Sequence, residues 1–370
     1  MSLYLFILGG LAVAMIFGFQ GVQNSQWYML SVATLLAAGL YSSTYGISIK
    51  EAKAHFVVIL RAVTIGVLLK ALIIGTAMAL ILRNPFGFVL GIIVAQIDPL
   101  STAALMKGSR MSKRAKSILG AWASFDDPMT VILSLYAPIA IAAVTGVAWH
   151  PIGNTMQAAG IGGYLLETVI NLLFAGGIFV FWRLMRRHSK ASNIVVVALV
   201  ALGMYGLLVG ALSVAVYYFW MLGIAVIGLF LRPPIEVFLS RIVTWALHMA
   251  AVMLGILLVN GVNVVPGIAL GLITYSAQII VGMLLTKGLP GKDRFHIAFA
   301  QQNGITAIIL ALLFETYYPG TVAIVAPGII TINVLHRVAN VVLDAKLERR
   351  NDYLKIGFYL RALRIHIRRV

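Results

Sequence analysis

Residues 88–132 read FVLGIIVAQIDPLSTAALMKGSRMSKRAKSILGAWASFDDPMTVI: an acid before a proline, a basic loop, then two adjacent aspartates before a second proline. Asp98, Asp126 and Asp127 each sit in a run of otherwise apolar residues. Carboxylates are rare in such surroundings, because a charged side chain at mid-bilayer costs about 2.5–3.5 kcal/mol on insertion scales and is by default a functional residue.

The rest of the chain shows what solvent these acids face. Of 370 residues, 61% are hydrophobic and only 11% charged, and the mean hydropathy is +0.99. A soluble globule has about half its residues apolar and about a quarter charged, so this composition describes a polytopic membrane protein. About twelve apolar runs are long enough to approach the roughly 30 Å of hydrocarbon: 3–18, 27–46, 55–82, 86–106, 117–147, 160–184, 193–210, 212–231, 242–260, 264–286, 295–315 and 320–343. Backbone groups must be satisfied internally in lipid, so the runs are expected to be helices and the fold all-α. The first run lacks a basic start and a small-residue cleavage site and reads as retained.

Basic residues test this division. Lys50 and Lys53 follow the second run; Lys107, Arg110, Lys113, Arg114 and Lys116 the fourth; Arg183, Arg186, Arg187 and Lys190 the sixth. Arg232 and Arg241 follow the eighth, Lys287, Lys292 and Arg294 the tenth, and a tail from Lys346 to Arg369 the twelfth. The intervening loops hold little beyond Arg83. Alternation of this kind places both termini on the cytoplasmic side, and it turns the net charge of +17 into a topology signal. Nucleic-acid binding would need that charge on one soluble face. The tail YLKIGFYLRALRIHIRRV, residues 353–370, is basic and apolar at helical spacing and is expected to lie along anionic headgroups.

Proline chemistry places the acids. Pro99 and Pro128 lack an N–H, which frees the carbonyls of Ala95 and Ser124 and biases Asp98 and Asp127 away from helical geometry. Both helices are therefore expected to break, leaving bare carbonyls beside carboxylates: the outline of a hard-cation site. Asp126 and Asp127 point about 100° apart on a helix, and two carboxylates this close titrate in coupled steps. Asp98 also fits a purely structural role as the anchor of its break. Glu167 and Asn171, one turn apart, are expected to bond each other; His248 reads as a packed hydrogen-bonder, and Arg61 as a snorkelling cation. With no cysteine and no His/Cys cluster at ligand spacing, zinc and iron–sulfur chemistry are not expected. No cofactor is implied, and without a phosphate-binding glycine motif no nucleotide either.

Four stretches resemble the monovalent cation/proton antiporter superfamily, the sodium/proton exchangers of Asp-Asp type: residues 46–60 (GISIKEAKAHFVVIL), 88–132, 298–314 (AFAQQNGITAIILALLF) and 326–343 (APGIITINVLHRVANVVL). The resemblance implies two inverted three-helix repeats, residues 55–147 (runs three to five) and 264–343 (runs ten to twelve), whose broken middle helices, runs four and eleven, cross. Residues 1–54 and 148–263 would then form a dimerising scaffold, and 344–370 the basic cytoplasmic tail. It further implies exchange of sodium or lithium for protons by alternating access, a homodimer, a role in pH homeostasis and a prokaryotic inner-membrane location. Carried over by motif, Asp127 is the ion-binding carboxylate and sodium ligand, Asp126 the first acid of the pair and with it an ion- and proton-binding residue, and Asp98 the Asp-Pro acid, with Ser124 and Thr102 as helpers. Gln301, Gln302 and Asn303 become the polar residues of the second break.

Two departures stand out. The family's cations in run ten and before the glycine of run eleven are replaced here by Gln278 and Asn303. Lys70, near the middle of run three, is the expected substitute: it precedes Asp98 by 28 residues, as Gln278 precedes Asn303 by 25. The alternative places Lys70 in an aqueous funnel or beside Glu167. Rival readings are the same fold moving potassium or an organic anion with sodium, and an intramembrane aspartyl protease, which would need two aspartates on facing helices.

Overall fold

A computed structural model describes residues 2–19, 21–47, 56–109, 111–145, 160–188 and 194–367. Lys50, Lys53, Arg110 and Lys190, most of the 46–60 stretch and the last three residues lie outside the described residues. Among those described the chain is helical throughout, without a strand. Its elements are α1 (Ser2–Phe17), α2 (Gln26–Tyr45), α3 (Phe56–Arg61), a π-helical turn (Ala62–Gly66), α4 (Val67–Leu82), α5 (Phe86–Val94), α6 (Pro99–Gly108) and α7 (Lys113–Thr145). There follow α8 (Gly160–His188), α9 (Ile194–Tyr218), α10 (Met221–Gly228), α11 (Glu236–Leu257), α12 (Val264–Leu285), α13 (Gly291–Ala298), α14 (Ile305–Glu315) and α15 (Thr321–Ile367).

Six described helices are long and apolar enough to cross a membrane: Ile59–Leu82, Leu165–Arg187, Val195–Tyr218, Glu236–Asn260, Val264–Leu285 and Thr321–Leu343. Their outward residues are apolar, as at Leu72, Leu173, Leu202, Trp245 and Val265, which is the surface that lipid solvates. Two helix pairs approach closely. Gly91 of α5 lies where a Cβ would strike the backbone of Gly75 on α4, and Gly267 of α12 where one would strike Pro327 on α15. Along the other flank α1 packs on α11.

Three expectations need correction. Pro128 does not break its helix, since α7 runs unbroken from Lys113 to Thr145. Pro99 stands at the first turn of α6, where a missing N–H removes no helical bond. Pro128 lies mid-helix, and its one lost bond leaves the helix continuous. The boundary between the seventh and eighth runs is also different: α9 continues to Tyr218, and α10 has only eight residues, a rise of about 12 Å and far short of a span. Residues 193–231 form one apolar block, and the chain turns at Phe219, an aromatic residue with φ 58°, so hydropathy offers no boundary there. The ninth run starts earlier than expected, at Glu236, which brings Arg241 inside α11.

Smaller expectations can be read directly. Asn171 Nδ2 donates to the backbone carbonyl of Glu167 at 2.9 Å. Its Oδ1 accepts from the Gly223 amide, so the pair fastens α8 to α10. His248 stacks on Phe6 at 4.1 Å, a packing role, and Arg61 is exposed. The tail continues α15 as helix to Ile367; its side chains beyond Lys346 lie outside the described set.

Candidate functional site

Two helix interruptions meet in the interior. α5 stops at Val94 and α6 starts at Pro99, with Asp98 extended at φ −66°, ψ 123° as its N-cap. α13 stops at Ala298 and α14 starts at Ile305. The Asp98 amide donates to the Gln302 carbonyl at 2.9 Å, which fixes the two breaks against each other. Gln301 Nε2 donates to the carbonyls of Gln96 (2.8 Å) and Val94 (3.2 Å) and to Asn303 Oδ1 (2.9 Å), while Asn303 Nδ2 donates to Val94 (3.1 Å). The two amides thus satisfy carbonyls stranded at the end of α5, groups that would be costly to leave unpaired away from water. In the second break the Phe299 carbonyl faces His336 Nδ1 at 3.0 Å and accepts from Asn340 Nδ2 at 3.1 Å. Gln278 Nε2, fully buried, donates to the Ile297 carbonyl at 3.1 Å.

Asp98 does two things. One oxygen, Oδ2, accepts from the Ser101 amide (2.8 Å) and hydroxyl (2.6 Å), capping α6 as an N-cap acid does. The other, Oδ1, is buried without a hydrogen-bond partner. Gly304 makes room for it, since a Cβ at that position would run into the Asp98 carboxyl group. Asp127 repeats the pattern: Oδ2 accepts from Ser43 Oγ at 2.6 Å, and Oδ1 is buried without a close hydrogen-bond partner, the Thr306 hydroxyl also acting on the carboxylate.

Both acids line a cavity of about 730 Å³, together with Ser42 and Ser43 of α2 and Ser124 of α7. Thr102 does not line it. That residue is buried one turn after Asp98, its hydroxyl unpartnered. Gln301 and Asn303 serve the crossing, and Gln302 contributes its backbone carbonyl.

Asp126 faces away from this cavity. Its Oδ2 lies 3.1 Å from Lys70 Nζ, both side chains fully buried, and accepts from the Ile97 amide at 3.1 Å. The Lys70 ammonium also sits over the Trp122 ring, 5.5 Å from its centroid, a cation–π contact. Lys70 is therefore neither in the funnel nor paired with Glu167. The π-helical turn Ala62–Gly66 lies just ahead of Lys70, and such turns often mark functional positions.

Sequence reasoning missed Ser43. Its signal was present, since Ser42, Ser43 and Thr44 form a hydroxyl cluster in an apolar span, but nothing in the sequence says that α2 lies against α7. No group of three or more His, Cys, Asp or Glu side chains able to hold a resident metal occurs among the described residues.

No family model matches the chain. It is similar to the structure of the sodium proton antiporter MjNhaP1 from Methanocaldococcus jannaschii at pH 8, with a TM-score of 0.63 and 18% identity over 91% of this chain and 92% of that one. It is also similar to a 3D EM map of the same antiporter, with a TM-score of 0.56 and 19% identity over 86% of this chain and 83% of that one. With its apolar helices, this makes the chain an integral membrane protein of the antiporter fold. The structures it resembles are those of a transporter, not of an enzyme.

Proposed function

We propose that this protein is a secondary transporter that exchanges sodium or lithium ions for protons by alternating access. The observation that carries the reading is the matched state of Asp98 and Asp127: each has one oxygen held by a serine, and each keeps a buried, unpartnered oxygen. Two such oxygens lining one cavity fit a hard, partly dehydrated monovalent cation, with Ser124 and water completing the shell. Protonation of the same carboxylates removes the charge that holds the cation, so the two ions compete for one set of oxygens. The core, residues 55–147 and 264–343, then moves against the scaffold, helped by the second subunit of a homodimer, only when the site is occupied by one ion or the other. In this reading Lys70 is the structural cation, moved from run ten to run three, and it keeps Asp126 charged and outside the exchange. The setting is a prokaryotic inner membrane with cytoplasmic termini, where such exchange serves pH homeostasis.

The test is cation-dependent dequenching of a pH-sensitive dye in everted vesicles. Dequenching by sodium or lithium that vanishes in Asp127→Asn supports exchange. Peptide cleavage without any cation response would replace this reading with that of a protease.

A further inference from the structure

The cavity that ends at Asp98 and Asp127 is lined nearer the α6–α7 loop by Lys107, Lys113 and Lys116. A cation route would be expected to carry acids along its walls, because a charged cleft concentrates ions of opposite sign. Here the lining residues include no acid besides the two site aspartates. None of the three lysines is ion-paired within the described residues. Asp293 of α13, near the start of α7, is not ion-paired with any of them; its two oxygens accept from the Ser112 amide (2.9 Å) and hydroxyl (2.6 Å). On the scaffold side Arg232 adds another positive charge, donating to the Thr44 carbonyl at the end of α2. A topology signal needs positive residues in the loop but does not require them to face the cavity. Lys113 and Lys116 are three apart on α7 and so share one helix face, and that face is the cavity wall.

We infer that the cavity mouth is a binding site for a phosphate-bearing anion, held by Lys107, Lys113 and Lys116, which slows exchange from that side. Lysine ammoniums bind phosphate as point charges, and three unpaired ones around one opening suit a multivalent anion better than chloride. All three lysines stand on α6 and α7, whereas the facing wall comes from Gly39, Ser42, Ser43, Gly46 and Ile47 of α2 and its end and Val243 of α11. An anion lodged between these walls occupies the gap that must close in alternating access. It therefore lowers turnover more than it changes the half-saturating sodium concentration. The slowing rests on the exchange reading above; the binding does not.

The experiment measures thermal unfolding of the purified full chain with inorganic phosphate or chloride at equal ionic strength. Phosphate is expected to raise the midpoint in the unsubstituted protein, in Asp127→Asn, and in the conservative pair Lys113→Arg, Lys116→Arg. The shift is expected to be lost in Lys113→Gln, Lys116→Gln. An equal shift in that glutamine pair, or no phosphate-specific shift in the unsubstituted protein, overturns the proposal. Retention of the shift in Asp127→Asn separates binding at the mouth from the exchange reading, which would fail on its own if sodium response were absent. Repeating the measurement in phosphatidylcholine and phosphatidylglycerol bilayers identifies the source. A shift seen only in phosphatidylcholine means that lipid headgroups already fill the mouth, whereas equal shifts mean soluble phosphate; both support the site.

Discussion

Asp126 and Asp127 are neighbours in sequence and live in different surroundings. One face of α7 turns Asp126 into a closed interior, where Lys70, Trp122 and the Ile97 amide surround it. The other turns Asp127 to a cavity shared with Asp98, where Ser43 holds one oxygen; both neighbours keep a second, unpartnered oxygen, so what separates them is the lysine on one side and the cavity on the other. The 100° between successive residues of a helix is enough to set one carboxylate against a buried lysine and its neighbour on a cavity wall. Pro128 does not blur that separation, because α7 stays helical through it.

The comparison can be broken at either face. The largest effect is expected on the cavity side: if Asp127 binds the exchanged cation as proposed, sodium-dependent dequenching should disappear in Asp127→Asn while the thermal unfolding midpoint changes little. Next comes the closed side. Asp126→Asn leaves the Lys70 ammonium buried without its partner, a loss of about 3–5 kcal/mol, visible as a large fall in the unfolding midpoint. Replacing both, with Lys70→Met and Asp126→Leu, should recover most of it, since apolar pairs commonly match or exceed a buried ion pair. If Asp126→Asn were instead as stable as the parent, the two faces would not differ as described.

Smaller effects sharpen the picture of the cavity. Gly304→Ala pushes a methyl group into the Asp98 carboxyl, an overpacking of about 1–3 kcal/mol. It should lower transport and raise the half-saturating cation concentration even with Asp98 intact. Ser43→Ala takes one hydroxyl from Asp127; water in the cavity replaces part of it, so the half-saturating concentration should move by no more than about tenfold, or about 1.4 kcal/mol. Radiolabelled cation uptake into proteoliposomes reads both.

Much of this arrangement was legible in the sequence, for reasons particular to each element. The break at Asp98 followed from Pro99 and from an acid before it, and the placement of Gln301 and Asn303 in a second interruption came from the resemblance of residues 298–314. Lys70 stood out because it lies too far from either end of its run to snorkel. Its partner was open, because a lysine in one run and an aspartate in another carry no sign of which faces meet. Pro128 misled because a mid-helix proline removes one bond whether or not the helix bends. The turn at Phe219 was hidden in uniform hydropathy, where aromatic residues take the place of Gly or Asn. Ser43 was missed because its role depends on a contact 84 positions away in sequence.

The most direct measurement is calorimetric titration of the purified protein with sodium at two pH values, with the protons released on binding counted in buffers of different ionisation heat. Competition for the free oxygens of Asp98 and Asp127 predicts that binding weakens on acidification, by about tenfold per pH unit for each proton displaced, and that protons leave as sodium binds. Equal sodium affinity at both pH values with no proton release would contradict it.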